Sequence, residues 1–222
     1  MGAPTTRERI LRTSLHLFNA DGAASVSTNH VALELEISPG NLYYHFKNKA
    51  DVVGALYQQF EQEWNPLLFT GAEGGAIDIE QLWFYLHISF ELVSKYRFLF
   101  RDIDYLSSKV PNYEKKYRRM LMRTRESLVA ILRNLAAHDL LAASLDDLKI
   151  IATNMLMIIT YWVAFRRAID AGSHAEGDRS EFTSGMFQVI SILVPYISEG
   201  RREELRVLGN NYNQRETGST ES

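Results

Sequence analysis

Ser38-Pro39-Gly40-Asn41-Leu42-Tyr43-Tyr44-His45-Phe46-Lys47-Asn48-Lys49 is the stretch that decides how this chain is read. It spells a short helix closed by a turn that starts the next helix. The Ser38 hydroxyl can cap the helix, and Pro39 suits its first position, where a missing N–H costs nothing. Gly40 leaves bare backbone at the helix start, open to an anion or a closely approaching surface. Leu42 and Phe46, four apart, share one face and can anchor the helix to a core. Asn41, Tyr43, Tyr44, His45 and Lys49 are left to point outwards. A surface of hydroxyls, an imidazole and an ammonium with little apolar cover suits a polar, negatively charged partner, and duplex DNA is the leading candidate.

The residues before this stretch supply its support. Thr5-x-x-Glu8 matches a capping box. Ile10, Leu11, Ser14, Leu15, Leu17 and Phe18 follow at helical period, and Gly22 ends that helix. Ser27 can cap a second helix, with Val31, Ala32 and Leu35 on one side. Ile37 leads into the Ser38 helix. Two short helices joined by a tight turn, the second exposed, make a helix-turn-helix.

Ser-x-Gly-x-Leu-Tyr-Tyr-His-Phe-x-x-Lys also resembles the end of the DNA-binding domain in the TetR family of bacterial transcriptional regulators. The resemblance covers roughly residues 6 to 60; beyond that the all-helical plan is what is shared. It implies that Tyr43, Tyr44, His45, Lys49 and Thr28 contact phosphates and that Pro39, Gly40 and Asn41 sit against base edges. The chemistry agrees: hydroxyl, imidazole and ammonium donate to phosphate oxygens, and Asn can pair with adenine. The bland alternative is a surface helix whose tyrosines merely pack. The family usually has Gly where this chain has Glu36, so a positive φ there would carry modest strain.

The rest of the chain reads as helices only, making the fold class all-α: an N-terminal three-helix helix-turn-helix domain plus a larger C-terminal helical ligand-binding and dimerisation domain. Asn48 can cap a fourth helix with an apolar stripe of Val52, Val53, Leu56, Tyr57, Phe60 and Trp64, and Pro66 ends or kinks it. Thr70 to Gly75 reads as a flexible joint. Ile79 to Lys95 fits one helix, and Phe98 to Leu106 a shorter one stopped before Pro111. A long helix runs from Asn112 through Leu135. Leu145 to Ala171 follows, with Asp146 and Asp147 in its first turn and Arg166 and Arg167 in its last. Gly172 to Gly177 is a loop, and Phe182 to Ile197 a last helix bent by Pro195. The expected division is 1–50 for DNA binding, 51–69 for a connecting helix, 70–208 for ligand binding and dimerisation, and 209–222 for a disordered tail.

Composition narrows the function. The chain has 222 residues and no cysteine, which excludes disulfides and thiolate metal sites. No apolar run opens it, so a cytoplasmic location is expected. Ile150 to Phe165 is apolar almost all round, but this run is short for a membrane span and holds Asn154; a helix buried on several sides is expected. No histidine pair has ligand spacing, so no metal and no cofactor is expected, and His30 receives no role. Net charge is −3, and residues 1–60 hold five basic and five acidic residues, so any electrostatic footprint for DNA must be local.

The last two long helices need burial, and two copies packing them together would form a four-helix homodimer interface; a monomer core is the alternative. Trp83, His87, Phe90, Phe98, Arg101, Tyr105, Tyr113, Met120, Met155 and Trp162 could line a pocket for a small, mostly apolar effector, as the family resemblance implies. His87, Arg101 and Asn154 are its polar handles. Ordinary core packing explains each of these equally well. The expected function is a dimeric repressor released from a palindromic operator by ligand. Alternatives are a helix-turn-helix module that docks on protein, and an enzyme with an apolar substrate, for which no nucleophile–base set is present.

Overall fold

The computed structural model describes residues 3–69, 75–169 and 179–198. The expected loop 172–177 and the tail from 209 lie outside them, as does all of the expected joint but Gly75. Among the described residues the chain is helical, with one isolated antiparallel bridge between Leu141 and Ile197.

The first four helices follow their local signals. Helix α1 (Thr6–Asp21) starts with the capping box, Thr5 and Glu8 each holding the other's backbone N–H. That bond from the Thr5 backbone keeps the Glu8 carboxyl below its usual pKa. The helix ends at Gly22, whose φ of 89° suits glycine. Ser27 caps α2 (Thr28–Glu34), Ser38 caps α3 (Pro39–His45) with Pro39 in its first turn, and Asn48 caps α4 (Lys49–Trp64). Between α2 and α3, Glu36 stands at φ 54°. The left-handed conformation anticipated from the missing glycine is present.

Pro66 falls in a 3-10 turn, Asn65–Phe69. Then come α5 (Ile79–Lys95), α6 (Arg97–Arg101), α7 (Ile103–Lys109), α8 (Tyr113–Ala137), α9 (Leu145–Ile169) and α10 (Arg179–Leu193). The single helix expected over Phe98–Leu106 is two. The chain breaks at Asp102 (φ −98°, ψ 30°), whose carboxylate accepts from the Ala23 N–H at 2.7 Å. Pro195 ends α10 in a 3-10 turn, Val194–Tyr196, where a bend was expected.

Contacts divide the chain into two compact units that do not follow chain order. One comprises Met1–Asn65 with Lys95–Met120, the other Pro66–Ser94 with Leu121–Ser222. In the first, α6 is bound to the end of α1. The Asn19 amide donates to the Lys95 carbonyl (2.8 Å) and accepts from the Phe98 N–H (3.1 Å). Phe18 meets Phe98, and Phe60 is ringed by Trp64, Tyr96 and Phe100.

In the second unit, α9 packs on α10. By length and composition α9 could cross a membrane. Its buried residues, Leu148, Ile151, Ala152, Met155, Leu156, Ile159 and Val163, occupy one face instead of the several expected.

Candidate nucleic-acid interface

Two buried anchors orient α3. Leu42 and Phe46 insert into the core of the first unit, so the intervening positions must face out. Tyr44 is 86% exposed, Tyr43 is about half exposed, and Pro39, Gly40 and Asn41 are exposed. His45 is half-buried, with its ring edge-on to Tyr44.

Thr28 opens α2 beside this face, and its hydroxyl lies 3.2 Å from that of Tyr43. The structure therefore brings together a contiguous set on two helices: Thr28 and Tyr43 joined, with Pro39, Gly40, Asn41, Tyr44 and His45 on the same short α3. Each hydroxyl can donate to a phosphate oxygen.

Lys49 is more committed than its sequence position suggests. Its ammonium donates to the carbonyls of Ala23 (2.6 Å) and Val26 (2.9 Å) and lies 4.8 Å from the Tyr105 ring centroid. An ammonium carries three donors, so one remains beyond these two bonds. Lys49 thus also fastens the loop before α2 to the start of α4.

The ten residues expected to line a pocket are split between the units. Phe98, Arg101, Tyr105, Tyr113 and Met120 belong to the first, where four have structural work. Phe98 packs on Phe18, and Tyr105 lies under Lys49. The Tyr113 hydroxyl donates to the Leu99 carbonyl, and burial raises its pKa well above the usual phenol value. Arg101 donates to the carbonyls of Phe18 (2.7 Å) and Asn19 (2.9 Å) and pairs with Asp102. Nothing local announced this brace, because Asn19 and Arg101 are far apart in sequence.

Trp83, His87, Phe90, Met155 and Trp162 belong to the second unit. Phe90 and Trp162 converge on Gly185 of α10, where a Cβ would lie 2.5 and 2.6 Å from their rings. Trp83 meets Phe187 edge-on, Met155 is buried, and His87 lies 3.4 Å from Glu91. Asn154 is exposed on α9.

A buried-anchor helix presenting hydroxyls from a three-helix unit defines a helix-turn-helix protein of the DNA-binding kind. Known proteins agree. Residues 10–60 match the family described as bacterial regulatory proteins, tetR family, and residues 59–205 match the TetR family described as bacterial transcriptional repressor. A solved TetR-family transcriptional regulator from Marinobacter aquaeolei VT8 is 33% identical, with a TM-score of 0.84 over 94% of this chain and 99% of that one. The HTH-type transcriptional regulator AcrR of Shigella flexneri is 34% identical over 59 residues, 27% of each chain. An HTH-type transcriptional regulator of Staphylococcus aureus is 42% identical over 57 residues, 26% of this chain and 31% of that one. The match thus spans less than a third of these two curated relatives. The chain belongs to the TetR family of transcriptional regulators. The relatives are named as regulators and not as enzymes.

Proposed function

We propose that the protein is a cytoplasmic, dimeric repressor that binds a palindromic operator and leaves it when a small, mostly apolar effector binds. The observation that carries the reading is the exposed polar face of α2 and α3 over the buried Leu42 and Phe46. In this reading Thr28, Tyr43, Tyr44, His45 and the third donor of Lys49 take phosphates, and Pro39, Gly40 and Asn41 meet base edges.

Dimerisation is supported by an apolar stripe on α9, where Ile150, Met157, Tyr161 and Phe165 are exposed opposite its buried face. Two copies joined through α9 and α10 place two copies of α3 about one DNA turn apart, on the order of 34 Å. The effector is assigned to the second unit, among Trp83, Phe90, Met155 and Trp162, with His87 as the polar handle. Effector binding lowers operator affinity by favouring a spacing of the two α3 helices that no longer fits the groove.

The test is binding of the purified protein to fragments of the DNA upstream of its own gene, followed by anisotropy across a salt series. Affinity should fall steeply with salt, and Lys49→Ala should reduce the log–log slope by about one. No binding to any fragment at low ionic strength overturns the reading. An unchanged slope in the variant removes Lys49 from the phosphate contacts.

A further inference from the structure

Residues 1–60 hold as many acidic as basic residues, so the helix-turn-helix by itself brings no net positive charge to DNA. The fold supplies that charge from further along the chain. The first unit joins Lys95–Met120 to Met1–Asn65, and the added segment holds eight basic residues against three acidic ones. The unit therefore has thirteen basic and ten acidic residues in a chain of net charge −3. Some of the added cations are paired: Lys95 with Glu63, Arg101 with Asp102 and Arg119 with Glu61. Around the α7–α8 turn, Lys109, Lys115, Lys116 and Arg118 form no ion pair among the described residues.

Lys116 connects this turn to the DNA-facing set. An open groove in the first unit is walled by the start of α1, the α3–α4 turn, the first half of α4 and the α7–α8 turn. Tyr44 and His45 line it together with Arg7, Lys47 and Lys116. The one carboxylate in its lining, Asp51, already accepts from the Lys47 backbone N–H at 3.1 Å. Arg7 lies 5.0 Å from the Phe46 ring centroid and Lys116 5.5 Å from that of Tyr57. Both rings are buried, so they serve as seats for the cations. Arg7 and Lys47 are exposed and Lys116 is half-buried. A long basic side chain already held on a ring loses less freedom when it meets an anion.

We propose that this groove seats the sugar-phosphate backbone of duplex DNA, with Arg7, Lys47 and Lys116 taking phosphates beyond those assigned to α2 and α3. The proposal rests on the DNA-binding reading above and adds to it a contact from α8, outside the helix-turn-helix. Three cations against one engaged carboxylate suit a polyanion, and the groove continues the surface of Tyr44 and His45. Contacts of this kind position the protein on the duplex without reading its sequence.

The test is anisotropy of the full-length protein across a salt series on two labelled duplexes of equal length, the upstream fragment that wild type binds best and a mixed-sequence duplex. Lys116→Gln keeps a long side chain over Tyr57 and removes the charge. Its log–log salt slope should fall by about one per bound chain on both duplexes, leaving the preference between them unchanged. Arg118→Gln removes an exposed α8 charge that does not line the groove, and it should keep the wild-type slope. Gly54 lines the groove, and a Cβ there would meet nothing within 4 Å, so Gly54→Glu adds a carboxylate without a clash. It should weaken both duplexes by at least about fivefold at low salt. Should Lys116→Gln fail to fold, Gly54→Glu decides. With wild type binding, an unchanged slope in Lys116→Gln, an equal fall in Arg118→Gln, or full affinity in Gly54→Glu overturns this inference and leaves the repressor reading standing. A wild type that ignores both duplexes at low ionic strength overturns the two together.

Discussion

Arg101 donates from Nη2 to the carbonyl oxygen of Phe18 at 2.7 Å, so a side chain 83 residues downstream closes the C-terminal end of α1. A second guanidinium nitrogen takes the Asn19 carbonyl, while Asp102 pairs with Arg101 and also accepts from the Ala23 N–H. The last carbonyls of a helix have no intrahelical partners, and a cation there also meets the negative end of the helix dipole. The helix-turn-helix is therefore fixed to α6 and the α6–α7 junction by directional bonds as well as by packing.

Arg101→Ala removes these bonds and leaves the half-buried Asp102 without its guanidinium. We expect a loss of about 2 kcal/mol, read as a lower urea midpoint at unchanged slope and fixed protein concentration. Arg101→Lys should recover only part of it, because an ammonium lacks the planar fork that reaches two carbonyls and a carboxylate together.

Glu36 offers the opposite sign. At φ 54° a side chain is strained by roughly 1–2 kcal/mol, whereas glycine is not. Glycine also loses more freedom on folding, which takes back part of the gain. Glu36→Gly should therefore stabilise by about 0.5–1 kcal/mol, visible as a higher thermal midpoint; a lower midpoint would mean that the Glu36 side chain contributes more than the strain costs.

These two sites mark where sequence reading succeeds and stops. Glu36, the caps at Ser27, Ser38 and Asn48, and the stop at Gly22 were legible because cap and helix lie within four residues of each other. The buried Leu42–Phe46 pair was legible from spacing alone. The break at Asp102 was not, because what holds it is the Ala23 backbone far upstream. The contacts that Arg101, Tyr105 and Tyr113 make with α1, Lys49 and the Leu99 carbonyl were not legible for the same reason. Aromatic and basic side chains at helical spacing show that a face is buried, not which element covers it. The exposed polar face of α3 was legible as residue types, but the double engagement of Lys49 by Ala23 and Val26 was not.

Two glycines in helices make a paired prediction. Gly185→Ala places a methyl within 2.5 Å of the Phe90 ring and 2.6 Å of Trp162. Neither ring is a flexible chain end, so overpacking costs about 1–3 kcal/mol, only partly offset by better helix propensity. Gly54→Ala meets nothing within 4 Å and should gain about 0.5–1 kcal/mol. The same substitution should thus move the thermal midpoint down at one site and up at the other. A shift of the same sign at both would show that propensity outweighs packing at Gly185.

The exposed stripe of α9 should respond to charge. Met157 is 63% and Tyr161 62% exposed, each at a multiple of the helical turn from Ile150, on the face opposite buried Met155 and Ile159. A carboxylate placed there costs little in a lone chain, because water still reaches it. Between two copies it would be buried without a partner, with its symmetry mate nearby, a penalty of several kcal/mol. Met157→Glu should therefore leave helicity and the urea midpoint of the isolated chain nearly unchanged while shifting the equilibrium to monomer. Sedimentation should give twice the 25.4 kDa chain mass for wild type and a single chain mass for the variant. The monomer should also lose most operator affinity, since one recognition helix cannot engage two half-sites. A variant that remains fully dimeric would place the interface elsewhere than on this stripe.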